Sequence, residues 1–172
     1  MRVAVTGTPG TGKTTAVDHL ESDHDTGLEV VHLNEVIREE ELTTGHDEER
    51  DSAIADLDAV ADYLEGSEDV LVESHLAHHV DADRVVVLRC HPEKLRQRLT
   101  ERGEPDAKAD ENAESEALDV VLSEAVNRHG EDSIYEIDTT DRTPAEVAAA
   151  IAAVVAGERE PSAGTVSFVD YL

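Results

Sequence analysis

The chain has 172 residues, 39% of them hydrophobic, which suffices for one α/β domain with a proper core and is marginal for two. Forty-one Asp and Glu against 14 Lys and Arg give a formal charge of −27, which disfavours non-specific binding to DNA or to an anionic membrane, since both need a basic face. No apolar run approaches the roughly 20 residues of a membrane span, the single Cys90 has no partner for an internal disulfide, and Met1-Arg2 leads into Val3-Ala4-Val5-Thr6 without a signal peptide, so a soluble cytosolic protein is expected.

Arg2 to Thr6 reads as a buried strand that ends in a Gly-rich turn, and a helix starts at Thr14 and runs to Leu20. Leu28 to Leu33 is a second strand, followed by a charged helical segment from Asn34 to about Glu41 that Thr43-Thr44-Gly45-His46-Asp47 breaks. Ile54, Leu57, Val60, Ala61 and Leu64 are spaced as one helical face, closed by Gly66. Asp69 to Ser74 and Arg84 to Arg89 are continuous apolar runs of the kind found in central parallel strands. His91-Pro92 opens a helix carrying Leu95 and Leu99, Arg102 to Asp106 is a loop, and Ala109 to about Val126 is one long helix. Ser133 to Ile137 is the fifth strand and Pro144 to Val155 the last helix. The alternation predicts an α/β fold with a five-stranded parallel sheet and helices on both faces. Residues 157–172 read as a flexible tail, whose end, Val166 to Leu172, is either a docking strand or packs on the same domain.

Gly7-Thr8-Pro9-Gly10-Thr11-Gly12-Lys13-Thr14 matches G-x-x-x-x-G-K-[ST] at every fixed position, directly between a strand and a helix. One of three lysines stands here, in a composition that otherwise avoids lysine. Glycines such as Gly10 and Gly12 let successive backbone N–H groups wrap a phosphate at a helix N-terminus, where the dipole favours anions. In such a loop Lys13 bridges the β- and γ-phosphates of ATP and the Thr14 hydroxyl binds Mg²⁺. A GTPase would need an Asn-Lys-x-Asp segment, and none of the lysines has those neighbours. A small five-strand P-loop chain with insertions after the second and fourth strands instead resembles the nucleoside monophosphate kinases.

Four blocks narrow the resemblance: Thr6 to Thr15, Ile37-Arg38-Glu39-Glu40 leading to Gly45 to Glu49, Val72-Glu73-Ser74-His75-Leu76-Ala77-His78, and Leu99 to Gly103. Over residues 1–156 the chain resembles the small adenylate kinase-like NTPases of archaea and eukaryotes that also act in late maturation of the small ribosomal subunit. That resemblance implies a P-loop kinase-like domain over 1–156, with a monophosphate-binding insertion at about 32–55 and a short lid at about 101–111. It implies ATP contacts from Thr15, Arg102 and, behind the fifth strand, Arg142; acceptor-phosphate contacts from Arg38 and Asn34; and a histidine near the γ-phosphate, His75, that positions water. Arginines suit both phosphate roles because like-charged groups approach only when permanent, bidentate cations neutralise them. Glu73 fits the Walker B acid that holds Mg²⁺ or its water; the family often has Asp there, and the longer Glu favours a water-mediated contact. His75, His78 and His79 also raise a zinc reading, which the lack of a nearby Cys and the adjoining Mg²⁺-type site disfavour, leaving His78 and His79 as surface loop residues.

The expected reaction is phosphoryl transfer from Mg-ATP to AMP or a related monophosphate, with ATP hydrolysis alongside because few arginines are available to a lid. Two other readings stand beside it: an assembly switch whose nucleotide state governs binding to a small-subunit ribosomal protein, and a kinase for another small molecule. The charge fits a basic partner. It fits equally a chain built for molar salt, where the Debye length is about 3 Å and self-repulsion is screened. Its even spread along the chain, the few lysines and the scarce aromatic residues favour the salt reading.

Overall fold

The apolar runs of the chain become the parallel strands of one sheet in the structure, a computed structural model that describes residues 1–49 and 52–172. The elements are, in order, β1 (Arg2–Thr6), α1 (Lys13–Asp23), β2 (Glu29–His32), α2 (Leu33–Glu39), β3 (Thr43–Asp47), β4 (Ser52–Ala55) and α3 (Leu57–Leu64). There follow β5 (Val70–Glu73), β6 (Arg84–Arg89), α4 (Pro92–Glu101), α5 (Asp106–Ala117), α6 (Val120–His129), β7 (Ile134–Asp138) and α7 (Pro144–Val155). The main sheet has the order β2-β5-β1-β6-β7 and is parallel throughout. Its register sets Val5 opposite Glu73 and Thr6 opposite Val87, so the carboxyl ends of the strands deliver Thr6, His32, Glu73, Arg89 and Asp138 to one edge.

Because side chains alternate across a strand, each strand feeds two cores. Val3, Val5, Val86 and Leu88 pack beneath Val17 and Leu20 of α1 and Val147 and Ile151 of α7. Ala4, Val72, Val85 and Val87 face the other way, onto Leu33, Ile37, Val60, Leu64 and Leu122. Leu95, Leu99, Ala109 and Cys90 form a third, smaller cluster, which joins α4 to α5.

Three elements depart from the sequence reading. Thr43–Asp47 is not a simple break but β3, paired antiparallel with β4 through a bulge between Thr43 and Gly45. Ile54 lies in β4 and is 47% exposed; the following helix starts at Leu57, because the Asp56 carboxylate caps it by accepting from the Ala59 N–H at 3.1 Å. The expected long helix over Ala109 to Val126 is two helices, separated at Asp119, whose φ of +56° is left-handed. That conformation costs about 1–2 kcal/mol for a residue with a Cβ.

The reason for the break is Arg89. Its guanidinium, 1% exposed, donates from Nε to Glu116 Oε1 at 2.5 Å, from Nη2 to Asp119 Oδ1 at 2.5 Å and from Nη1 to Glu136 Oε1 at 2.6 Å. Burial opposes the charge, yet the Glu116 carboxylate and these hydrogen bonds raise the guanidinium pKa, so it stays ionised. The end of the chain joins the same network. The Thr165 and Val166 N–H groups donate to Glu136 Oε2 at 2.7 and 3.3 Å, Ser162 N–H donates to Ile134 O at 2.8 Å, and the Phe168 ring stands 5.5 Å from the guanidinium carbon. The stretch Ser162–Phe168, within the segment read as a flexible tail, thus packs on the same domain along β7. No helix among the described residues is long and apolar enough to cross a membrane.

Removing one partner of a buried ionic network leaves uncompensated charge, at a cost of about 3–5 kcal/mol. Arg89→Met is therefore expected to lose stability on that scale in urea unfolding in molar KCl, where surface ion pairs are screened. A loss under about 1 kcal/mol would show that the network does not organise the fold.

Candidate active site

The turn between β1 and α1 closes so tightly that its first residue has no room for a side chain: a Cβ on Gly7 would lie 2.7 Å from Leu88 O. At the other end Gly12, with φ +91°, occupies the N-cap of α1 in a left-handed conformation. Thr11 Oγ1 donates to Thr8 O at 2.9 Å, which stiffens the loop from within. Lys13, 8% exposed, folds back over it: Nζ donates to Gly7 O at 2.9 Å and Thr8 O at 3.2 Å. No carboxylate pairs with this ammonium among the described residues. Burial lowers its pKa from the ordinary lysine value to about 8, with the Glu73 charge opposing the fall and that of Arg102 adding to it. A buried cation whose only partners are neutral oxygens, at a helix N-terminus, is an electrostatic invitation to an anion.

Two groups of side chains flank the loop. On one side a cleft of about 420 Å³ is lined by Gly10, Gly12 and Thr15, by Arg98, Glu101 and Arg102 at the end of α4, and by Thr139 and Arg142 after β7. Both arginines expected to reach ATP, Arg102 and Arg142, thus open on the same cavity as the P-loop. On the other side Thr14 Oγ1 donates to Glu73 Oε1 at 3.3 Å, and Glu73 is 4% exposed. A hydroxyl and a carboxylate so placed are hard oxygen ligands that fit Mg²⁺ or its waters. Ser74 Oγ donates to Asn34 Oδ1 at 2.6 Å, and Asn34 Nδ2 lies 3.5 Å from His75 Nδ1. Burial foremost, and then the Lys13 charge, lower the His75 pKa to about 4, so its imidazole is neutral at pH 7. Arg38 is exposed in the last turn of α2, one helical turn beyond Asn34.

The structure adds residues that the sequence reading did not single out. His32 Nδ1 lies 2.8 Å from Glu73 Oε2, leaving Oε1 toward Thr14. Glu116 Oε2 accepts from Thr8 Oγ1 at 2.5 Å, and Thr139 Oγ1 donates to Thr11 O at 3.0 Å, so the P-loop is braced from α5 and from the loop after β7. Arg98 Nη1 donates to Gly10 O at 3.2 Å. The one sequence signal for this bracing was an arginine closing the apolar run Arg84 to Arg89, at a position that a central strand buries. His78, read as a surface loop residue, is instead 1% exposed.

An anion bound against Lys13 favours the protonated amine, so binding takes up a proton wherever the free protein has lost it. Affinity for a nucleoside triphosphate is then expected to fall about tenfold per pH unit above 8, as read by calorimetry. Affinity that stays flat from pH 7 to about 10 would show that Lys13 does not meet the phosphates.

Residues 3–119 match the family described as the AAA domain. The chain is 67% identical over 172 residues to a protein of Natronomonas pharaonis named "Putative adenylate kinase", with 100% of each chain covered. It is 62% identical over 173 residues to a protein of the same name from Halobacterium salinarum, again with 100% of each covered, and 44% identical over 172 residues to another from Methanothermobacter thermautotrophicus, covering 99% of this chain and 98% of that one. Among solved structures, deoxyadenosine kinase from M. mycoides superposes with a TM-score of 0.60 at 15% identity, covering 92% of this chain and 100% of that one. Shikimate kinase from Acinetobacter baumannii gives 0.60 at 18% identity, covering 92% and 94%. The two superpositions carry the fold and the sequence relatives carry the family: the chain belongs to the AAA-domain P-loop proteins and, within them, to the adenylate kinase-like phosphotransferases.

Proposed function

We propose that the protein is a cytosolic Mg-ATP-dependent nucleoside monophosphate kinase of the adenylate type that also hydrolyses ATP. The observation that carries this reading is the buried Lys13 ammonium, without a carboxylate partner among the described residues, in the same P-loop whose Gly10 and Gly12 line a cleft with Arg102 and Arg142. The P-loop N–H groups and Lys13 hold the β- and γ-phosphates, and Arg102 closes over them from the turn between α4 and α5. The base lies in the cleft between the P-loop and the segment Thr139 to Arg142. Thr14 and, through water, Glu73 would hold Mg²⁺, which when bound would supply charge neutralisation on the transferring phosphoryl group. Arg38 and Asn34 receive the acceptor phosphate on the opposite side of the γ-position.

In the transfer an acceptor phosphate oxygen forms the new bond to the γ-phosphorus, the bond to the β–γ bridging oxygen breaks, and ADP leaves with that electron pair. The protein has little covalent work to do and contributes position and charge. His75, neutral at pH 7 with Nδ1 facing the Asn34 amide, donates from Nε2–H to the oxygen of a water aimed at the same phosphorus, which is the route to hydrolysis when no acceptor is present. The extreme surface charge is an adaptation to molar salt, where screening lets anionic nucleotide approach.

A second reading, an assembly ATPase that binds a basic ribosomal protein during small-subunit maturation, draws on the acidic surface alone. Pull-down of small-subunit proteins in molar KCl with and without ATP tests it; no retained partner in either state removes it.

The kinase reading is tested by coupled assay of ADP formation from ATP alone and from ATP with each monophosphate, in molar KCl. Lys13→Ala is expected to reduce both activities by about 10²-fold or more, and full activity would overturn the site. Arg38→Ala is expected to weaken monophosphate-dependent turnover while sparing hydrolysis; equal loss of both contradicts an acceptor role. Activity is expected to rise with salt, so an optimum in dilute buffer would overturn the account of the charge.

A further inference from the structure

Away from the phosphate cleft, three side chains converge from two elements. His78 and His79 stand in the single 3-10 turn Ala77–His79 that follows β5, and Glu124 stands on α6. His78 Nε2 and His79 Nε2 lie 2.8 and 3.8 Å from the same carboxylate oxygen, Glu124 Oε2, and the three atoms are all within 4.8 Å of one another. Around a tetrahedral ion with bonds of about 2.0–2.1 Å, neighbouring ligand atoms are about 3.3 Å apart, so each of the two spacings to Glu124 Oε2 needs to change by only about half an ångström.

The surroundings suit coordination. His78 Nδ1 lies 2.7 Å from Thr6 Oγ1, and that hydroxyl has the His75 carbonyl as its own acceptor at 3.5 Å. Without an ion Nε2–H donates to Glu124 Oε2; an ion at Nε2 takes the place of that proton, Nδ1–H then donates to Thr6 and Thr6 onward, and the ring has the tautomer a metal takes. His129 Nε2 donates to His78 O at 2.7 Å and fixes the backbone of the turn. The two imidazoles stack with centroids 4.2 Å apart at 39°, and burial foremost lowers the His78 pKa. His78 is buried, while His79 and Glu124 side chains are 31% and 48% exposed, so an ion has a path in and a water can take the fourth position.

We propose that His78, His79 and Glu124 form a binding site for a divalent transition ion of the Zn²⁺ class, which fastens the turn after β5 to α6 beneath the start of the P-loop. Two imidazoles and one carboxylate select a borderline ion over Mg²⁺ or Ca²⁺, which take oxygen ligands. The site is separate from Thr14 and Glu73 and does not depend on the kinase reading. Neither Asp18, Glu21 and His32, a second convergent group that is mostly exposed, nor His75, which turns toward Asn34, shares it. Coordination is short-range and is not screened by salt, so an ion holds this junction more firmly than the His78–Glu124 hydrogen bond alone.

The test uses the full chain, stripped with chelator, in molar KCl. Co²⁺ is expected to bind with one equivalent showing the intense visible absorption of a tetrahedral site, displaced by stoichiometric Zn²⁺, and Zn²⁺ is expected to raise the melting temperature. Glu124→Gln and His79→Leu, both at exposed or half-exposed positions, are each expected to weaken that equivalent about tenfold or more, while His32→Ala retains it. No tetrahedral cobalt band in the wild type overturns the proposal. So does a band that survives both Glu124→Gln and His79→Leu, or one lost only in His32→Ala.

Discussion

One buried guanidinium holds the working edge of the sheet together. Arg89 ends β6 at the carboxyl side of the sheet, where the strands hand over to the P-loop and its neighbours. Its three carboxylates come from the end of α5, from the two-residue link between α5 and α6, and from β7. The second oxygen of Glu116 accepts from Thr8, and the Arg89 carbonyl accepts from Thr139, whose hydroxyl also reaches Thr11 O. The guanidinium therefore fixes the helix that follows the α4–α5 turn, the strand that backs the nucleotide cleft and, through Glu116 and Thr8, the loop that cradles phosphate, which the Arg89 main chain braces a second time through Thr139. The cost of taking that cation out of water is offset because its donors meet carboxylates at close range and Glu116 and Glu136 keep further donors of their own.

The contrast with Lys13 explains how the same edge can be both rigid and receptive. Arg89 is buried and over-satisfied by anions. Lys13 is buried and meets only neutral oxygens, and its pKa falls accordingly. In a chain with 41 Asp and Glu, keeping those of the described residues out of bonding range of this ammonium is a structural constraint in itself. Glu73, the nearest acid in the charge balance, is turned aside: one of its oxygens lies on Thr14 and the other on His32. His32 thus orients the acid away from the lysine as well as toward the threonine.

What was legible in the sequence was local. Strands β1, β5 and β6 announce themselves as apolar runs, α7 by its Pro start, and the P-loop by letters and context. The elements between α2 and α3 were less readable, because Thr43 to Asp47 has turn chemistry and becomes a strand only when β4 pairs with it. Ile54 fits the spacing of a helical face by coincidence, and Asp56, the cap that separates the two elements, lies between it and Leu57. The break at Asp119 is invisible locally: an αL residue amid Ala, Leu and Val is explained only by an arginine 30 residues earlier. His78 carried the same ambiguity. Its burial follows from Thr6 and Glu124, residues 72 and 46 positions away, and no spacing rule reports contacts at that range.

The cations of the candidate site divide by exposure, and the division bears on where binding energy acts. Lys13 is already dehydrated and positioned, so little reorganisation accompanies its meeting with a phosphate. Arg38, Arg102 and Arg142 are exposed and hydrated in the free protein. On the kinase reading they must shed water and lose side-chain freedom when they contact phosphate, which offsets part of their attraction. On that reading their contribution is greatest when both nucleotides are present and the phosphates are crowded together, because the repulsion they relieve is then largest. The preset P-loop half would act alike before and during transfer, and the exposed arginines would add the part that grows as the phosphates approach, which is the differential stabilisation that transfer requires.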